Sequence, residues 1–230
     1  MNTRDVSSMN KNEVFAKGFC FDKLFWIFVI GCVFGAYYEE LLVLIKGLIH
    51  QGIPIMEYRR GVIYGPFSPV YGFGAVLMVY LFARNPKSKW MTFLFGSLFG
   101  GLFEFIISFL QETFIGTTSW DYSNHFLNIA GRTTIPIMIA WGILTVFLIH
   151  YVYPSVSKWI EKVPYDLGKK VTKWMLIFLV IDMLVSWTAL FRWTLRRNEI
   201  EPVTPVGKIY DRIYPDDYLQ KRFPNMEVKK

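Results

Sequence analysis

Five long apolar runs separated by short charged connections fill the chain from about residue 24 to residue 191. They cover about 24–49, 69–83, 90–114, 135–153 and 174–191. Each is near the roughly 20 residues that a helix needs to cross a bilayer, the second being the shortest. The pattern predicts an all-α fold: a polytopic membrane bundle of about five transmembrane helices. Pro54, Pro66, Pro69 and several glycines punctuate the stretch before the second run, so a re-entrant or irregular loop is expected there. Residues 1–23 read as a polar N-terminal segment, frayed or lying as a helix in the interface. No cleavable signal is expected, because the first apolar run is too long and lacks a small-residue cleavage site. Residues 193–230 read as a basic, polar, peripheral tail.

Two of the runs share an inner pattern. GCVFGAYYE ends at Glu39, and GSLFGGLFE ends 65 residues later at Glu104. The four-residue spacing puts both glycines and the acid on one helix face, which packs closely and ends in a carboxylate at membrane depth. Pro66, Tyr71 and Gly72 then have the mutual spacing of Pro136, Trp141 and Gly142, and Arg60 and Arg132 precede the two prolines. These echoes predict an internal parallel repeat of two helical hairpins, about 24–84 and 90–153, with 174–191 as an extra helix.

Composition supports the membrane reading, with 53% hydrophobic and 18% aromatic residues and a mean hydropathy of +0.31. The net charge of +7 would suit nucleic acid, but the basic residues lie between apolar runs and in the tail. There they set orientation and meet anionic headgroups, so membrane lipids and not nucleic acid are the expected partners. Lys23, Arg84, Lys87 and the lysines from Lys158 to Lys173 place the N-terminal segment and the second-to-third and fourth-to-fifth connections in the cytoplasm. The other two connections, 51–68 and 116–134, then lie outside. Five spans also leave the tail outside, although it opens with Arg192, Arg196 and Arg197; a sixth, re-entrant element would move it inside. Cys20 and Cys32 suggest neither a disulfide framework nor a thiolate metal site, and no cofactor or metal is expected.

The richest polar motifs are RRGVIYGPFSPVYG at 59–72 and TTSWDYSNHFLNIAGR at 117–132. Both connections fall on one side of the membrane, above two acids at matching depth, so Glu39 and Glu104 are expected to face one polar vestibule. Arg60 and Arg132 are expected to reach these acids or to bind a ligand anion, which a guanidinium does bidentately. Tyr64, Tyr71, Trp120, Tyr122 and Trp141 line the vestibule or form interfacial belts. In the alternative reading the acids and arginines only hold helices together. Glu40, about 100° around the helix from Glu39, serves a second face or the loop. Asp182 is expected to accept a helix-packing hydrogen bond.

GxxxE in the first run, RGxxYGPxxPxYG in the next connection and WDYSxxxxNxxGR followed by a proline and WG together resemble the CmpB-like ABC-transporter permease family (type IV). The likeness covers about residues 25–142 and also picks out Asn128, Gly61, Gly65 and Gly131. It implies a multi-pass bacterial protein of the cell membrane with a transport role. The chain has no GxxxxGK[ST] phosphate-binding loop, so ATP hydrolysis would need a separate ATPase subunit, and five spans would need a homodimer. Three functions remain open from the residues. The first is a permease-like component with a Glu/Arg pocket. The second is a membrane enzyme acting on a lipid-linked or phosphate-bearing headgroup through Glu39, Glu104 and Asp121. The third is a structural or regulatory scaffold.

Overall fold

The computed structural model describes residues 13–228. The first helix, α1, runs Phe21–Gln51 and is followed by the short α2, Pro69–Phe82. Helix α3 covers Lys89–Ile115. Helix α4, Ile135–Phe147, continues through a π-helical turn at Leu148–Val152 into α5, Tyr153–Glu161. Helix α6 is Tyr165–Arg197, and two short helices, α7 (Pro205–Ile213) and α8 (Asp216–Arg222), complete the helical part. The π turn ends just before Pro154, which lacks the N–H that a regular turn would use, and the wider turn carries the helix past it. Two-residue strands occur at β1 (Thr117–Thr118), β2 (Asn128–Ile129), β3 (Thr133–Thr134) and β4 (Glu227–Val228). Strand β1 pairs antiparallel with β4, and β2 with β3.

Among the described residues, four helices are long and apolar enough to cross a membrane: α1, α3, the continuous α4–α5 and α6. Helix α2 has 14 residues, about 21 Å, and the reason lies in the loop before it. After Gln51 the chain turns back along α1, with Ile55 packed against Gly47, until the Ser68 amide donates to the Cys32 carbonyl at 3.0 Å. The expected irregular loop therefore descends to the middle of α1, and α2 starts there. Backbone at that depth needs partners within the protein. The Ile63 amide donates to Ser186 Oγ at 2.7 Å, and the Tyr64 amide to Asp182 Oδ1 at 3.1 Å, both on α6. Asp182 is thus a hydrogen-bond acceptor as expected, but it holds a loop amide and Ser186 of its own helix and does not join two helices.

The two ends of the bundle are held differently. At one end Phe15 is buried against Gly168 and Ile160, and fully buried Lys23 meets Glu161 at 2.7 Å and the Ser157 carbonyl at 2.9 Å. The described part of the N-terminal segment is thus packed and irregular, where a frayed or interfacial helix was expected; residues 1–12 lie outside the described residues. At the other end the C-terminal segment lies over the motif loops. Trp193, Leu219, Phe223 and Met226 pack with Ile63 in a core of their own.

The described part of the tail is therefore not peripheral, and Arg192, Arg196 and Arg222 are engaged within the protein. Arg192 grips Asp211 with two 2.8 Å hydrogen bonds, and Arg196 contacts Asp211 and Asp216. These bonds, from Arg192 first, hold the Asp211 carboxyl below its ordinary 3.8. A carboxyl depressed on folding stabilises the protein above that ordinary value, and the contribution disappears as pH falls through the depressed one. The thermal midpoint is accordingly expected to drop by a few degrees between about pH 5 and about pH 3. Asp211→Asn, which leaves Arg192 buried without its carboxylate, should start lower at pH 6 and lose less on acidification.

Candidate functional site

Each hairpin is closed by a glycine under an aromatic ring. A Cβ on Gly35 would fall within the Tyr71 ring, and one on Gly100 against the Trp141 ring system. A Cβ on Gly72 would lie 2.8 Å from the Phe28 carbonyl, and one on Gly142 2.7 Å from the Phe93 carbonyl. The α1–α2 and α3–α4 seams thus use small residues to bring backbones together, as helices in lipid do. One turn beyond each buried glycine stands the acid.

Glu39 has Tyr71 as its side-chain partner. Glu104, 8% exposed, accepts from Thr133 Oγ1 at 2.7 Å and from the Tyr122 hydroxyl at 3.3 Å, and also meets Trp141. Tyr122 lies within electrostatic range of Glu39 as well as Glu104, and Tyr71 within range of Tyr122. Glu39–Tyr71 and Glu104–Tyr122 are thus two acid–phenol pairs, one on each hairpin, that lie within electrostatic range of each other and together make up the acid cluster. Burial first, and then Glu104, push the Tyr122 phenol above its ordinary range, so it stays a donor.

The arginines do not reach these acids as expected. Arg60 Nε meets Glu40 at 3.2 Å, and its guanidinium lies over the Tyr58 ring. Arg132 meets Glu112 at 2.5 Å and Ser108 at 3.2 Å, against the rings of Phe105 and Phe109. Each arginine thus takes an acid on the solvent side of the one predicted for it. Among the described residues neither Glu39 nor Glu104 forms an ion pair, although Arg59 and Lys46 lie within electrostatic range of Glu39. The cluster offers a ligand carboxylates with hydroxyl and indole neighbours.

The other predicted residues fall into two groups. Tyr71, Tyr122 and Trp141 sit at the cluster. Tyr64 is half-exposed and bonds the Tyr214 hydroxyl at 3.0 Å, away from it. Trp120 donates to the Arg132 carbonyl at 3.0 Å, Asp121 accepts from the Ser123 amide at 2.8 Å, and Asn128 binds the Ser123 and His125 carbonyls and the Gly131 amide. These three shape the second motif loop, in which Gly131 has a φ of +68° and its carbonyl receives the Tyr122 amide at 2.8 Å. That bond sets where Tyr122 stands over Glu104. Thr133, which makes the shorter of the two hydroxyl contacts to Glu104, was not foreseen. Its only sequence signal is the alternation in Thr133–Thr134, where Thr134 Oγ1 caps α4 by accepting from the Ile137 amide at 3.1 Å.

Residues 26–187 match the family model described as "Putative ABC-transporter type IV". The chain belongs to that family. The match runs well past the motif loops into α6 and so includes Asp182 and Ser186, but it stops short of the C-terminal segment. No curated protein and no solved structure matches the chain. With its four apolar spanning helices, this member of the type IV family is a multi-pass membrane protein of the kind that forms the membrane component of a transporter.

Proposed function

We propose that this chain is the permease subunit of a cell-membrane transporter whose substrate is met by Glu39 and Glu104 across the seam between two repeated hairpins. The observation that supports this reading is that the Glu39–Tyr71 and Glu104–Tyr122 pairs lie within electrostatic range of each other, with Arg60 and Arg132 engaged elsewhere. Such a cluster presents two carboxyl groups with no fixed countercharge in contact among the described residues, at a depth where carboxylates are costly to keep without a role. It favours a cation, or a substrate presenting hydrogen-bond donors, over the anion that free arginines would have suited.

The repeat is supported by the equivalent contacts of Gly35 and Gly100, and of Gly72 and Gly142. Five passes, with α2 as the short one, are supported by the opposite ends of the bundle at which the N-terminal segment and the tail pack. That arrangement leaves the tail outside without a sixth element, since Arg192 and Arg196 are neutralised by Asp211 and Asp216 and do not count as free positive charges. Energy comes from a separate ATPase at the lysine-rich cytoplasmic end, and two copies of the chain complete the pathway.

Purification of the intact chain from its native membrane tests this. A P-loop ATPase is expected to accompany it, and reproducible purification without one would overturn the ABC-type reading.

A further inference from the structure

Residues 205–228 lie beyond the family match, yet they touch both motif loops. On the first loop, the Tyr214 hydroxyl meets the Tyr64 hydroxyl at 3.0 Å, and Arg222 donates to the Gly65 carbonyl at 3.1 Å. On the second, Asn225 donates to the Ser119 carbonyl at 3.3 Å, and β4 adds to the edge of β1 with Glu227 opposite Thr118. The segment is rooted on α6 by the Arg192–Asp211 and Arg196–Asp216 contacts. One loop belongs to each hairpin, and the Glu39–Glu104 cluster lies across the seam between the hairpins. Parting the hairpins at that end would require the two loops to separate, and the C-terminal segment spans them.

We propose that residues 205–228 are a releasable clasp that ties the two motif loops together and keeps the acid cluster closed to water on that side. The strength of the attachments fits release. Both clasp helices are short, at 9 and 7 residues, and have little stability of their own. The grip on the loops consists of a few single hydrogen bonds, a two-residue ladder and contact with Ile63, while Leu219, Phe223 and Met226 otherwise pack with Ala189, Leu190 and Trp193 of α6. Segments held in this way open locally at free energies well below that of global unfolding. The bidentate Arg192 root keeps a released clasp close to its seat.

Access can be read without knowing the substrate. In the full-length purified chain carrying Cys20→Ser, Thr133→Cys places a thiol beside Glu104, where the native side chain is 2% exposed; native Cys32 is fully buried. Reaction of residue 133 with a water-soluble methanethiosulfonate is followed by peptide mass spectrometry. Weakening the clasp with Tyr214→Phe and Arg222→Ala, which remove one hydrogen bond each, is expected to speed labelling roughly tenfold, the effect of two bonds at the weak end of the usual net range. Adding Thr118→Cys and Glu227→Cys should reverse that gain when oxidised and restore it when reduced. Equal rates in the oxidised and reduced forms would overturn the clasp. So would a gain that the disulfide fails to reverse, because that reports unfolding and not opening. The readout is access and not transport, so it stands or falls separately from the permease reading.

Discussion

Replacing Glu39 and Glu104 together by glutamine is expected to cut substrate-stimulated ATP hydrolysis by the purified transporter about 100-fold, with little change in thermal midpoint. Glutamine keeps the size of the side chain and an oxygen that accepts from Tyr71, Tyr122 and Thr133, so the local packing survives. It removes the negative charge. Losing one member of a desolvated charged contact costs about 2–5 kcal/mol, and 100-fold corresponds to about 2.7 kcal/mol. Either single variant should retain part of the activity, since the acids are carried by different hairpins and each keeps its own hydroxyl partner. If the double variant instead unfolds at a much lower temperature while residual folded protein hydrolyses normally, the acids only hold helices together and the scaffold account is right.

The second large effect is structural. Gly35→Val is expected to prevent α1 and α2 from pairing, and Gly100→Val to do the same to α3 and α4. Overpacking a tight contact typically costs 1–3 kcal/mol when side chains can shift. Here the obstacle on one side is the ring of Tyr71 and on the other the Cβ and indole of Trp141, each placed by the backbone contact of the next residue, Gly72 or Gly142. Those rings also serve the acids, so displacing them disturbs the cluster as well as the seam. A cost above about 3 kcal/mol would consume much of the stability of an ordinary domain. The expected outcome is loss of the monodisperse peak in detergent, or a fall in midpoint of more than about 10 °C. Phe34→Ala, at the neighbouring position on α1 but 61% exposed toward lipid, is the control and should leave both unchanged. If Gly35→Val behaves like Phe34→Ala, close approach at the seam is not what holds the hairpin.

Much of this was legible in the residues because it depends on short spacings. The Gly–Gly–Glu period places its three members on one face of any helix that forms, so the tight seam and the acid beyond it follow from local geometry. The partners of Arg60 and Arg132 were not legible. Glu39 and Glu40 differ by one residue and about 100° of helix, and Glu104 and Glu112 by about two turns. A long guanidinium side chain can satisfy either acid, and the path of a loop of some 15 residues decides between them. Thr133 was missed for a similar reason: a threonine before a helix reads as a cap, and only its neighbour Thr134 is one.

The amino-acid sequence alone determined that the chain is a helical multi-pass membrane protein and that two glycine-lined helix faces each end in an acid. Those properties rest on apolar length and helical period, which need no information about distant contacts. The tertiary structure alone decided that the first motif loop dips to the middle of α1, that Glu39 meets Tyr71 and Glu104 meets Tyr122 and Thr133 in place of the arginines, and that the tail folds over the motif loops. These outcomes follow from competition between partners far apart in the chain. Asp182 and Ser186 draw in the buried loop amides, and Asp211 and Asp216 draw in Arg192 and Arg196. Spacing along the sequence carries no record of which of several possible partners a charge or an amide will meet.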